Sequence, residues 1–318
     1  MGSTKPQTVG LLVEPFLYEW QVRALETLQS RTDLEISLVV SNGRNDSCSI
    51  DDWNTRDRIE FSDVTRFLRE LRQERAWTLV LAERNIARVA GDTAGLWHRR
   101  AIDDVSALEG VDHVRCRPER TGSWAEFPDR VVSDVATQCD VVIRFGFGLI
   151  RGGILEAPDY GVLSFHPADI RRFRGLGPPA IFYEDRSVAG ATLQRLTDSI
   201  DGGEIVAIDE VSVADCETMW DVFDRTATLQ IDLLSDGLEN LQDPSFEPET
   251  VPESELGTYY SRKQRRSLGF SARVLARNLR GRLERRYRQR VLALEESENA
   301  RSADAETNPA SDSSGHHR

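Results

Sequence analysis

Lysine is nearly absent from this chain. Lys5 and Lys263 are the only two, and arginine supplies the rest of its 40 basic residues. Against 53 acidic residues they leave a net charge of −13. An acidic surface with so little lysine is suited to high salt, where self-repulsion is screened. A GC-rich genome would also favour arginine codons, but it does not account for the acidic excess. Such a balance argues against general affinity for nucleic acid. Cysteine is scarce and scattered: Cys48, Cys116, Cys139 and Cys216 form no Cys-x-x-Cys pair and no Cys/His cluster, so no metal site is expected and a reducing compartment suits them. No apolar run approaches the roughly 20 residues of a membrane span. The opening MGSTKPQTVGLLV has neither a basic stretch nor a cleavage pattern, and a cytoplasmic protein is the expectation. What is present suffices for a core: hydrophobic residues make up 39% of the 318, with six Trp and twelve Phe.

The pattern along the chain predicts an α/β fold. TVGLLV at 8–13 and LEISLVV at 34–40 read as strands around a helix at 19–28, followed by a turn at 41–43. Residues 44–60 read as loop, 64–73 as helix and 78–82 as strand. Further strands are expected near 114–116, at 140–147 and at 161–165, with a helix at 130–137. Strand patterns return at 191–196 and 204–213, before a helix at 219–241 and a loop at 244–252. Alternating strands and helices, with glycine at strand ends, imply a Rossmann-like, mostly parallel sheet covered on both faces. Ligands in such sheets bind beyond the carboxyl ends of the strands.

The C-terminal part differs in character. Residues 262–290 carry twelve Arg or Lys, with Leu268, Leu275, Leu279, Leu283, Tyr287 and Val291 as an apolar stripe. This predicts a basic amphipathic helix with a solvated face, its stripe suited to a homodimer contact. After Glu295 large apolar residues vanish and a disordered tail is expected. The expected organisation is an α/β domain over 7–213, a helical extension over 214–294 and a tail over 295–318.

The most informative segment runs from Gly161 to Val206. It holds His166, one of five histidines, between Phe165 and Pro167. A turn follows with Arg174, Gly175 and Gly177, and Asp201-Gly202-Gly203 begins 35 residues after the histidine. Each signal alone is weak: a lone His among apolar residues is usually packed, and Asp-Gly usually marks a turn. Together they supply what proton transfer needs, an imidazole that titrates near neutrality and a carboxylate to orient it. Alternation along a strand puts Ser164 on the same face as His166.

These motifs resemble the core of the 10-formyltetrahydrofolate-dependent formyltransferase family, in which Asn-x-His-Pro, an Arg-Gly loop, Gly-x-Thr and Asp-x-Gly follow in that order. Here they read Ser164-Phe165-His166-Pro167, Arg174-Gly175, Gly190-Ala191-Thr192 and Asp201-Gly202-Gly203. The resemblance extends through Arg144–Ile150 (RFGFGLI) and through Ile154-Leu155, Pro158 and Gly161, covering about 136–213. It implies formyl transfer from 10-formyltetrahydrofolate, as co-substrate, to a primary amine. His166 would be the general acid/base, Asp201 its orienting partner, and Ser164 would stand where the family's Asn donates to the oxyanion. Phe147, Gly148, Leu149, Ile150 and Asp198 would hold the pterin, and Arg174 and Gly175 the acceptor.

Within the family, the glycinamide ribonucleotide enzymes carry a glycine-rich phosphate loop after the first strand, where this chain has Glu14-Pro15-Phe16-Leu17-Tyr18. The tRNA enzymes add a C-terminal β-barrel, and no run of hairpins is visible after residue 214. Members that formylate sugars, often nucleotide-linked, fit best. Hydrolysis of the same folate and non-catalytic binding of a folate or nucleotide stay open, because Ser164 departs from the family's Asn.

Overall fold

The computed structural model of the protein describes residues 5–43, 72–89 and 95–307. The loop expected at 44–60 and nearly all of the helix expected at 64–73 lie outside the described residues.

Strand β1 (Thr8–Val13) runs through the centre of an eight-stranded sheet. Its next strands are β2 (Glu35–Asn42), β3 (Asp112–Cys116), β4 (Val141–Arg144) and β5 (Val162–His166). These five are mutually parallel, in the order β3-β2-β1-β4-β5. Beyond β5 the sheet continues antiparallel through β6 (Val188–Arg195), β7 (Glu204–Ser212) and the two-residue β8 (Glu249–Thr250). The strand order reverses between β1 and β4. At such a switch point the loops leaving two neighbouring strands part and open a crevice.

Both faces are covered. Helix α1 (Glu19–Arg31) and the long α5 (Met219–Gln242) lie side by side on one, burying Val22, Leu25, Leu28, Leu233, Leu234 and Leu238 against the strands. Gly237 lets α5 approach closely: a Cβ there would lie 2.4 Å from the Leu193 side chain. Helix α3 (Asp129–Gln138) covers the other face with Val131 and Val135, beside Phe127 and Phe147.

Three sequence expectations need correction. Thr78–Ala82 is not a strand but part of α2 (Trp77–Val89). A short apolar run cannot be told from a buried helix by periodicity alone. The buried positions Trp77, Val80, Glu83 and Ala87 show the helical spacing. Residues 244–252 are not all loop, because β8 pairs with β7. The third concerns α6 (Leu268–Thr307), which continues past residue 295, where disorder was expected, to Thr307. Its buried face is Phe270, Ser271, Val274 and Asn278, whereas Leu268, Leu279, Leu283 and Tyr287 are exposed. Polar docking sets that choice. Asn278 accepts from the Met219 amide at 2.9 Å and donates to Glu83 at 3.0 Å, and a Cβ at Gly281 would lie 2.0 Å from the Glu217 carbonyl oxygen. Helix α4 (Gly177–Tyr183) completes this second core, with Ile181 and Phe182 packed among Trp77, Met219 and Phe270.

Candidate active site

At the carboxyl edge of the sheet, β4 and β5 present alternate residues to opposite faces. Phe145 and Phe165 turn to the α1 side. They stack at 6.0 Å, and the Trp20 ring meets both edge-on at 5.8 and 5.5 Å. Arg144, Ser164 and His166 fall on the α3 side, and Ser164 and His166 are buried. Ser164 is the register partner of Arg144 on the neighbouring parallel strand, so their side chains project side by side.

Both nitrogens of His166 face acceptors. Nε2 lies 3.0 Å from the Phe173 carbonyl. A carbonyl only accepts, so Nε2 carries a proton and donates it there. In the neutral ring this leaves the lone pair on Nδ1, which lies 3.5 Å from Oδ1 of Asp201. Nδ1 is therefore the atom that can take up and release a proton, with a carboxylate beside it.

Asp201 is held from its other side. Its Oδ2 accepts from the Gly175 amide at 2.8 Å. The backbone of Asp201 has a φ of 47°, in the left-handed region that Asp tolerates better than most residues. Gly175 has a φ of 81°, and a Cβ there would sit 2.2 Å from the Tyr260 carbonyl oxygen. Gly175 thus serves as anchor for Asp201. Arg174 donates through Nε to the Gly257 carbonyl at 3.0 Å, and Phe173-Arg174 pairs in parallel with Thr258-Tyr259. The turn expected to touch acceptor is thus tied to residues 257–260.

The Gly-x-Thr motif has a scaffolding role. Thr192 donates to the Ala168 carbonyl at 2.8 Å, and Gly190 allows the Asp169 amide within 3.0 Å of where its Cβ would be. Together they fix the chain as it leaves His166. Asp169, buried and bonded to Arg171 at 3.0 Å, closes the same turn.

The loop after β4 is constrained from three sides. Phe147 and Gly148 are consecutive residues with positive φ, 68° and 71°. The Phe147 amide donates to Glu14 at 2.9 Å, Arg120 reaches the Phe147 carbonyl at 3.2 Å, and Arg144 reaches the Gly148 carbonyl. Gly146 packs directly on the end of β1, where a Cβ would lie 2.5 Å from the Glu14 nitrogen. The expected pterin contacts therefore divide. The side chains of Phe147 and Ile150 are core, whereas Gly148 is exposed, with nothing within 4 Å of a Cβ position, and Leu149 is half-buried. Asp198 is exposed on the loop leading to Asp201.

Sequence reasoning missed Arg144 as a site residue. Its Nε and Nη2 donate to Ser164 Oγ at 3.1 and 2.6 Å. Burial pushes the guanidinium down to about 10, against the opposing pull of Asp201. The signal was present as an Arg ending an otherwise apolar strand. Glu14, which binds Asn42 and the Phe147 amide, was also missed. The three described cysteines take no part: burial pushes the Cys116 and Cys216 thiols up to about 11 and raises that of Cys139. Among the described residues no group of His, Cys, Asp and Glu could hold a metal ion.

Residues 103–238 match the model of the formyl transferase family, and this matched stretch contains Ser164, His166, Gly175 and Asp201. Among curated proteins the chain is similar to the methionyl-tRNA formyltransferase of Caulobacter vibrioides, 31% identical over 150 residues, which are 46% of this chain and 47% of that one. The corresponding enzyme of Bacillus mycoides is 28% identical over 42% of this chain and 43% of its own. The chain thus matches less than half the length of these relatives. Among solved structures it is similar to a sugar N-formyltransferase from Shewanella, with a TM-score of 0.49, 13% identity and coverage of 86% and 88% of the two chains. It is also similar to a glycinamide ribonucleotide transformylase from Symbiobacterium toebii, with a TM-score of 0.47, 18% identity and coverage of 77% and 94%.

Proposed function

We propose that this protein transfers a formyl group from 10-formyltetrahydrofolate to a primary amine on a small molecule, with a sugar or nucleotide-sugar as acceptor class. The observation that carries the reading is the placement of His166 within the matched stretch. It sits at the carboxyl end of β5, next to the sheet's switch point, with Nε2 held by a carbonyl and Nδ1 facing Asp201.

The formyl-folate supplies an activated one-carbon group. The acceptor nitrogen attacks the formyl carbon, a new C–N bond forms, and the carbonyl π pair moves onto oxygen. Nδ1 of His166 takes the proton released by the amine, and Asp201 stabilises the resulting imidazolium. When the C–N bond to the folate breaks, the carbonyl re-forms and the same proton is returned to the departing nitrogen. Nε2 keeps its own proton on the Phe173 carbonyl throughout, so the ring cannot rotate away. Ser164 stands beside the oxyanion. Gly148, Leu149 and the loop carrying Asp198 are the groups with room to meet the pterin. The domain expected over 7–213 would hold this chemistry. Residues 257–260 brace it from the expected extension, through Gly257 on Arg174 and Tyr260 against Gly175.

The test is to incubate the protein in molar salt with 10-formyltetrahydrofolate and a panel of amino sugars and nucleotide-linked amino sugars. Tetrahydrofolate release that depends on an acceptor supports transfer. Release independent of acceptor assigns the site to hydrolysis, and folate binding without release assigns it to a non-catalytic role.

A further inference from the structure

Arg144 is a half-buried cation whose hydrogen bonds, among the described residues, go only to neutral oxygens: Ser164 Oγ and the Gly148 carbonyl. Asp201 acts on it electrostatically, but its carboxylate is committed to the Gly175 amide and faces His166. Partial desolvation of a charge with no anion in direct contact is costly, and an anion formed beside it would offset that cost. The register of β4 and β5 also fixes where this cation sits, beside Ser164 and on the face that carries His166.

The donor count points the same way. A guanidinium has five N–H groups. Here Nε–H and one Nη2–H are spent on Ser164, and one Nη1–H on Gly148. One hydrogen on each Nη is left. The serine oxygen accepts from the arginine, which leaves its own hydroxyl proton to donate elsewhere.

We propose that Arg144 and Ser164 act as one oxyanion-holding pair, with the guanidinium locking the serine hydroxyl and adding its own remaining N–H groups. This rests on the formyl-transfer reading above. As the amine attacks, the carbonyl π pair settles on the formyl oxygen. The Ser164 hydroxyl and an Arg144 N–H donate to that oxygen, and no proton is transferred to it. The pair replaces a neutral carboxamide donor by a charged one, and charge-assisted hydrogen bonds are about twice as strong as neutral ones. Serine at this position is then a spacer that the arginine requires, because a longer side chain would fill the space the guanidinium occupies.

The experiment measures kcat and KM for formyl transfer, together with equilibrium affinity for two folates. One is 5-formyltetrahydrofolate, with a planar formyl group. The other is a folate analogue bearing a hydrated aldehyde at the formyl position, a stable mimic of the tetrahedral carbon. Arg144→Gln should lower kcat by about 10²–10³, the usual effect of losing an oxyanion donor, with little change in folate KM. It should weaken the hydrated analogue by a similar factor and leave 5-formyltetrahydrofolate binding unchanged. Arg144→Lys should recover part of the loss. Ser164→Asn should be inactive beside Arg144 but should restore activity to Arg144→Gln. Thermal unfolding of each variant checks that it is folded. Wild-type kcat in Arg144→Gln, or equal weakening of both ligands, overturns the pair while leaving formyl transfer intact. Wild-type protein that neither turns over formyl-folate nor binds the hydrated analogue overturns both.

Discussion

The same two strand ends behave differently on their two faces. At Phe145 and Phe165 the side chains stack on each other and on Trp20, as in any core. One residue earlier or later, at Arg144, Ser164 and His166, the side chains are polar: Ser164 and His166 are buried, Arg144 is half-buried, and His166 faces Asp201. The aromatic face stabilises the strand ends and so keeps the opposite face stiff. The polar face contains a cation held by neutral oxygens and an aspartate in a left-handed conformation, both unfavourable for folding alone. Such features persist where the surrounding structure over-determines them, and they cluster at functional sites.

Substitutions that separate the faces test this contrast. The largest effect is expected at His166. His166→Ala should lower the rate of formyl transfer by about 10²–10⁴, the range for a general acid/base, while the melting temperature changes little. Equal rates in the two proteins would remove His166 from the chemistry. Phe165→Ala, one residue away, should do the reverse. It should cost about 3 kcal/mol of unfolding free energy, the low end for Phe→Ala because the ring is half-buried. Denaturant titration reads that loss, and the folded fraction should keep its turnover per molecule. A variant that stays stable but loses activity would show that the two faces are not separable.

Gly175→Ala is expected to affect both properties. The positive φ strains alanine by about 1–3 kcal/mol, and the contact with Tyr260 forces the turn to move. Because the Gly175 amide holds Asp201, activity should fall together with stability. Unchanged activity would detach the turn from the site. The smallest effect lies farthest from the chemistry. The Tyr260 hydroxyl bonds Glu184, and burial together with that bond pushes Tyr260 up to about 12. Its folded-state value is raised, so its contribution is complete below the ordinary tyrosine range near 10 and is lost as pH rises through about 12. Glu184 is lowered by the same bond, so its share is present above the ordinary carboxylate range and is lost as pH falls below it. Tyr260→Phe should cost about 0.5–1.5 kcal/mol at neutral pH and flatten both limbs of the stability–pH curve.

The parts of this molecule that repeat locally were legible in the sequence. Four of the five parallel strands announced themselves as apolar runs, β3 (DHVRC) being the polar exception, and the His, Gly-turn and Asp order located the site. Three kinds of feature were not legible. The run at 78–82 carries no local signal that separates strand from helix, and only the buried Trp77, Val80, Glu83 and Ala87 reveal it. The leucine stripe of α6 suggested a homodimer contact and gave no sign of the face that docks on this chain, which Asn278 and Gly281 set a fraction of a turn away. Arg144 read as an interior position of the strand expected at 140–147, whereas the strand ends there, and its meaning depends on inter-strand register, which places it opposite Ser164. Register of parallel strands is a long-range property that no short motif encodes.

The central claim is that the His166–Asp201 site moves a formyl group from folate to an amine. A single-turnover reaction with 10-formyltetrahydrofolate labelled in the formyl carbon, run in molar salt with excess amino-sugar acceptors, tests it most directly. The account predicts that the label leaves the folate and appears on an acceptor amide in the wild-type protein, and stays on the folate in His166→Ala. Label that remains on the folate in folded wild-type protein with every acceptor, or that appears as free formate, contradicts it.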